Sequence, residues 1–555
     1  MSDAGQPHGE DPQQEPPKPP QPTQPGPNLD QATVRLQRAH AQPMRVGPLP
    51  PGRPQPQVFP VGPTVPARTP AEPEQSVTDD TPDAPPQRRT GRRVALVLTA
   101  LVVVAGLAVG GVFYGPQALR AVGLGGVVED PTTAPAPPAQ VRAALKPLSA
   151  QGPVPSKQGV QNALAGPSGA SVLGTLGGTV VDPASGEVLW DKGAATPMTP
   201  ASTGKLVTSA AALLSIDPQS TLTTKVVEGP EPGTVVLVGG GDPTLSAGSK
   251  GFYPGAAKLD DLVAKVKSAM GGQQVRKVLV DTSAYAGDTK GPGWLAPDID
   301  GAGQDYAAPM EPVMLDGGRQ DPTDDNSARS TTPAKTAASK LAERLGVSGG
   351  ASVGSAQPGA RVLADVHSPP IRQLVETLLL TSDNVLAEAM ARQVAKASGA
   401  EMSFAGGAKA VADVLTRNGF DLSGARMVDG SGLSAQNKVP PKLLGSLVAA
   451  AAAPSGQHAE RTAKLRPLLS GLPVAGGSGT LSERYGSSGA SASGRGWVRA
   501  KTGTLDGVNS LAGVVTDSDG KLLAFAFVAN NAGPANAARP ALDVLASALR
   551  ACGCR

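Results

Sequence analysis

Ser202 and Lys205 stand at i and i+3 in the run Ser202-Thr203-Gly204-Lys205, so on a helix the hydroxyl and the amine share one face. Pro200 just ahead suits the start of such a helix. A lysine kept neutral by burial and neighbouring positive charge can take the proton of a serine that attacks a carbonyl. A serine at a helix start also meets free backbone N–H groups and the positive end of the dipole, both of which favour a developing oxyanion. The same four residues equally describe a helix cap followed by an exposed lysine. Ser382-Asp383-Asn384 lies between two apolar, helix-like runs, Ile371 to Leu380 and Val385 to Val394, and Lys501-Thr502-Gly503 ends a strand-like run. Each triplet alone reads as a cap or a turn.

Other chemistries find few residues to use. The chain has 4 histidines, of which His8 and His40 belong to the N-terminal tail. His367 and His458 sit in no metal-ligand spacing, and neither is marked as part of a Ser-His-Asp triad. No metal or cofactor is called for. A net charge of +3 with both signs interspersed gives no footprint for a nucleic-acid partner. Cys552 and Cys554, close to the end, imply no disulfide framework and no catalytic thiol.

The elements that must position these residues begin near Gly174. Thr179 to Val181 and Glu187 to Trp190 flank a Pro/Gly turn and predict a hairpin, and Leu206 to Leu214 predicts a helix. Trp497 to Thr502, Ser510 to Thr516 and Leu522 to Val528 predict three more strands, with a closing helix from Pro540 to Arg550. Strands at both ends with helices between them predict an α+β domain built on one antiparallel sheet. It is expected to comprise residues 166–220 and 366–550, with 221–365 as inserted subdomains.

Ahead of it, residues 1–87 are proline-rich and expected to be disordered. Val94 to Tyr114 carries 21 residues without a charge, about 30 Å of helix, and predicts a transmembrane anchor. The residues ahead of it are too many for the short basic start of a cleaved signal peptide. Arg88, Arg89, Arg92 and Arg93 on its N-terminal flank predict a cytoplasmic tail and an extracytoplasmic catalytic domain on a single-pass membrane protein. Residues 115–165 read as a Pro/Ala-rich spacer.

Ser-x-x-Lys, Ser-Asp-Asn and Lys-Thr-Gly occur as a set in penicillin-binding proteins and class A β-lactamases. Here they come in that chain order. The sequence resembles the D-alanyl-D-alanine carboxypeptidase/endopeptidase family of class C penicillin-binding proteins, peptidase family S13, over about residues 170 to 550. The resemblance is carried by Thr199 to Thr208, Gly239-Gly240-Gly241-Asp242-Pro243-Thr244-Leu245, Ser382 to Glu388, Asp429-Gly430-Ser431-Gly432-Leu433-Ser434 and Arg499 to Leu505, and by the long interval between the first two catalytic motifs. It implies the penicillin-binding, serine β-lactamase-like transpeptidase fold. Peptidoglycan stem peptides ending in D-Ala-D-Ala would be the substrates, and β-lactam antibiotics would bind covalently.

The resemblance also implies roles. Ser202 attacks the carbonyl between the two D-alanines, Lys205 takes its proton, and Ser382 relays a proton to the leaving amine. Asn384 binds the peptide and orients Lys205, while Lys501 and Thr502, with Gly503 and Thr504 beside them, bind the substrate carboxylate. The N–H groups of Ser202 and Thr504 form the oxyanion hole. Asp429 to Ser434 reads equally as a connector or as a contact. Two rival readings share the motifs. A β-lactamase needs a glutamate base, and after Asn384 only Glu388 stands on the next helical turn. A non-catalytic penicillin sensor would use the proline-rich tail to recruit an unknown cytoplasmic partner.

Overall fold

The computed structural model describes residues 152–302, 305–454, 456 and 458–555. The expected tail, anchor and most of the spacer lie outside them. Among the described residues no helix is long and apolar enough to cross a membrane.

The predicted hairpin is β1 (Thr175–Val181) and β2 (Val188–Lys192). Its turn is closed by Asp182, whose carboxylate accepts from the Ala184 N–H and the Ser185 hydroxyl and pairs with Lys521 at 2.9 Å. Three C-terminal strands complete an antiparallel sheet of order β2-β1-β10-β9-β8: β8 (Arg499–Leu505), β9 (Val508–Thr516) and β10 (Leu522–Asn530). β10 is apolar almost throughout because both of its faces are covered. Leu523, Phe525 and Phe527 join one core cluster, while Ala524, Ala526 and Val528 point to the other.

The first cluster lies under α11 (Ala535–Ala551), through Leu542, Leu545 and Leu549, and under α1 (Lys157–Ala165). Two expectations need correction here. Residues 157–165 belong to no extended spacer: they form α1, with Val160 and Leu164 fully buried. A proline and alanine bias upstream masked an amphipathic turn capped by Ser156, whose hydroxyl accepts from the Gly159 N–H at 3.0 Å. The last helix starts at Ala535, five residues before the expected Pro540, and carries that proline inside. Burial of Ala538 and Leu542 on one face outweighs the single helix hydrogen bond that proline removes. Cys552 and Cys554 are disulfide-bonded, and the Cys554 carbonyl accepts from the Ser156 N–H at 2.6 Å, tying the C-terminus to α1.

The second cluster is the helical layer on the opposite face. α2 (Lys205–Ser215) runs through its middle and is buried on every side from Lys205 to Leu213. Around it pack α5 (Ile371–Thr381), α6 (Asn384–Ala397), α7 (Phe404–Arg417), α8 (Pro441–Ala452), and the short α9 (Ala459–Leu465) and α10 (Pro467–Gly471). Between α2 and α5 a mixed sheet of order β6-β5-β4-β3-β7 is inserted. Its strands are β3 (Thr223–Glu228), β4 (Thr234–Gly239), β5 (Lys277–Asp281), β6 (Ala351–Val353) and β7 (Val362–His367). α3 (Leu259–Ala269) and α4 (Pro333–Leu345) share its core. The whole is α+β.

Because α1 is part of the core, Leu164→Ala in a fragment beginning at Val154 is expected to cost about 2–4 kcal/mol. Thermal unfolding of the pair measures it, and an unchanged midpoint would make α1 a peripheral attachment.

Candidate active site

The backbone around Ser202 is tighter than the sequence predicts. Ala201–Gly204 forms a 3-10 turn, and the α-helix begins only at Lys205. Side chains at i and i+3 eclipse one another in a 3-10 turn, which brings the Lys205 Nζ to 2.9 Å from the Ser202 Oγ. Ala201 carries a positive φ of 49°, a costly conformation for a residue with a Cβ. Neighbours hold it there. The hydroxyls of Thr203 and Ser510 reach the Pro200 carbonyl at 2.6 and 2.7 Å. Gly432, with φ of 80°, packs so closely that a Cβ would collide with the Ala201 carbonyl. A Cβ on Gly503 would stand 2.9 Å from the Ser202 nitrogen.

Lys205 is fully buried, yet all three of its donor directions are used. Besides Ser202 it reaches the Asn384 Oδ1 at 2.5 Å and the Ser431 carbonyl at 2.8 Å. Burial pulls its pKa down to about 8, while the carboxylates of Asp429, Glu388 and Asp383 pull the other way. An amine with that pKa can exchange a proton near neutral pH.

Asn384 is set by the corner between α5 and α6. Ser382 ends α5 in the left-handed region, with φ of 63°. Asp383 caps α6 by accepting from the Leu386 N–H at 2.8 Å. Its other oxygen accepts from the Tyr253 hydroxyl at 2.9 Å and from Arg319 at 3.1 Å, both supplied by the inserted region. Burial alone would raise the Asp383 pKa, but Arg319 and Arg329 hold it at about 2. The Asn384 amide donates to the Tyr306 carbonyl at 2.8 Å, which aims its oxygen at Lys205.

The loop from Asp429 to Ser434, which the sequence left ambiguous, is part of this site. Glu388 accepts from the N–H groups of Gly430 at 2.9 Å and Ser431 at 2.8 Å. Asp429 accepts from the Trp294 indole, from the N–H groups of Gly432 and Ser434, and from Asn437. Thr208 donates to the Gly430 carbonyl at 2.6 Å. The Glu388 carboxyl, buried and close to Asp429, is pushed well up. These bonds leave the Ser431 carbonyl facing Lys205.

β8 forms the other wall as the edge strand of its sheet. The Ala500 N–H points away from β9 to the Pro473 carbonyl at 3.0 Å. By the alternation of a strand, the N–H groups of Thr502 and Thr504 point the same way, toward the cleft that both residues line. The Thr504 N–H is therefore left out of the β8–β9 ladder. The Thr502 and Thr480 hydroxyls are hydrogen-bonded at 2.7 Å, with either able to donate. Lys501 is fully buried under the strand and donates to the Thr502 carbonyl at 2.9 Å. Burial, then the charge of Lys205, lowers its pKa well below the usual value. The cleft measures about 990 Å³, and Ser202, Ser382, Asn384, Thr502, Gly503 and Thr504 line it while Lys501 does not.

The D-Ala-D-Ala carboxypeptidase 3 (S13) family matches residues 158–327 and 322–549. The chain belongs to this family. It is 46% identical over 424 residues to carboxypeptidase DacB of Mycolicibacterium smegmatis, covering 75% of this chain and 89% of the relative. To a carboxypeptidase of Mycobacterium tuberculosis it is 44% identical over 430 residues, covering 76% of this chain and 90% of the relative. Among solved structures, penicillin binding protein 4 of Haemophilus influenzae aligns with a TM-score of 0.56 at 23% identity. That alignment covers 70% of this chain and 97% of the other, and the two share a fold.

Two outcomes follow for this S13 enzyme. Acylation needs the neutral amine, so kcat/KM is expected to rise with pH, about tenfold per unit below a midpoint near 8. A flat profile between pH 6.5 and 8.5 would show that Lys205 does not carry the proton. Gly432→Ala is expected to slow acylation by penicillin about 100-fold by displacing the nucleophile turn. Stopped-flow acylation rates equal to wild type would remove that loop from the site.

Proposed function

We propose that the chain is a serine-type D-alanyl-D-alanine carboxypeptidase acting on peptidoglycan stem peptides through an acyl-enzyme on Ser202. One observation carries this reading: the Lys205 amine is held at once by the Ser202 Oγ, the Asn384 Oδ1 and the Ser431 carbonyl. Neutral Lys205 accepts the Ser202 proton as Oγ bonds to the penultimate D-alanine carbonyl carbon, and the oxyanion forms against the N–H groups of Ser202 and Thr504. Ser382, on the cleft wall, passes a proton to the departing D-alanine nitrogen as the C–N bond breaks. Water then returns the serine, and the acid product leaves. A cross-link that presents the same D-alanyl carbonyl would be cut by the same steps, an endopeptidase activity.

A β-lactam presents a strained amide to the same serine, but its leaving nitrogen stays tethered after ring opening. Fast release of that adduct would need a carboxylate base aimed at water. Glu388 is occupied by two backbone N–H groups and is buried, so it is a loop anchor here. The cellular setting rests on sequence: the uncharged Val94–Tyr114 run and the arginines before it support a single-pass anchor with the catalytic domain outside the membrane. The proline-rich tail would then face cytoplasmic partners.

A fragment from Val154, mixed with penicillin, is expected to gain the mass of the intact antibiotic on Ser202 and to keep it for minutes or longer. Ser202→Ala should gain none while remaining folded, since only one of the three Lys205 partners is removed. Intact-mass spectrometry over time reads both, and an adduct gone within seconds would make this a β-lactamase.

A further inference from the structure

A carboxypeptidase substrate ends in a free carboxylate, and the cleft must meet that charge. The inference below rests on the carboxypeptidase reading and deepens it. Lys501 is fully buried, bonded to the Thr502 carbonyl, and absent from the cleft wall. Arg319 is held by Asp383 at 3.1 Å and Asp325 at 2.9 Å. Arg329 is buried, with its Nη1 on the Gly317 carbonyl at 2.6 Å. Arg484 lines the cleft but is clamped by both oxygens of Asp543, at 3.0 and 2.6 Å.

Arg539 differs from all of these. It is exposed, lines the cleft, and has no carboxylate within ion-pair distance among the described residues. Its Nε donates to the Thr504 Oγ1 at 3.2 Å, one residue beyond the Lys-Thr-Gly triplet, and that hydroxyl lies 3.3 Å from the Asn509 Oδ1. Among the described residues neither Nη group has a hydrogen-bond partner, so the fork of the guanidinium is open for a carboxylate. Its backbone is also held: Arg484 donates to the Arg539 carbonyl at 3.1 Å, and Pro540 restricts the next turn.

We propose that Arg539 is the substrate-binding cation that receives the C-terminal carboxylate, its guanidinium reaching past Thr504 to pair with the terminal D-alanine. Lys501 keeps its bond to the Thr502 carbonyl. The guanidinium supplies charge at the point where the peptide ends, which selects free acids over internal or amidated peptides.

The test uses the full chain or the fragment from Val154, with an N-acylated tripeptide ending in D-Ala-D-Ala and the same peptide as its C-terminal amide. Arg539→Gln is expected to lower kcat/KM for the acid by about 10- to 100-fold, mostly through KM, while the amide, which offers no charge, loses far less. Arg539→Lys should recover part of the loss, since it keeps the charge without the fork. Equal losses on acid and amide, or no loss on the acid, would overturn the role of Arg539. Wild-type protein that leaves the acid uncleaved would instead overturn the carboxypeptidase reading itself. Thermal melting of each variant separates misfolding from lost binding, and the lysine variant keeps the comparison informative if the glutamine variant does not fold.

Discussion

Taking an ammonium out of water is among the largest penalties a fold can incur, and this one places Lys205 at the start of a helix buried on every side. The penalty is tolerable only because each N–H direction meets an oxygen: a hydroxyl, a side-chain amide and a backbone carbonyl. Those oxygens come from three separate parts of the chain. The 3-10 turn, the α5–α6 corner and the Asp429 loop must therefore arrive together or not at all, and the burial they impose lowers the pKa of Lys205 to about 8 against the pull of the nearby carboxylates.

Much of the remaining structure answers the question of what holds those three oxygens. Glu388, four residues after Asn384 on the same helix, grips the Gly430 and Ser431 N–H groups, so one helix positions two of the three partners. The inserted region acts from the opposite side. Tyr253 and Arg319 grip the carboxylate of Asp383, and Tyr306 turns the Asn384 amide. Arg319 in turn stacks over the Phe252 ring at 3.4 Å. The insertion thus contributes to the chemistry by orienting side chains it does not itself place in the reaction.

Charge in the cleft is layered by depth. Lys205 and Lys501 lie in the interior, where burial and, for Lys501, the other's charge favour neutral amines. Arg539 sits at the solvent edge, where a guanidinium stays charged and pairs readily. Proton transfer suits the first environment and anion recognition the second, so the two tasks fall to different residue types at different depths.

Short-range spacing was readable because it maps directly onto secondary structure. Ser202 with Lys205, the Ser382-Asp383-Asn384 corner, the Lys501-Thr502-Gly503 strand and the hairpin before them all follow from local periodicity and turn chemistry. The α+β class followed from where the strands fall. Backbone partners left no such trace: any residue type has a carbonyl, so nothing in Ser431 announced a bond to Lys205. Arg319 and Arg539 are ordinary surface-like arginines in sequence, and only the fold brings one to Asp383 and the other to Thr504. Sequence determined which side chains can react, because that depends on residue type and local geometry. Tertiary structure decided which of them are buried, charged and aimed, because burial and long-range hydrogen bonds depend on segments hundreds of residues apart meeting in one place.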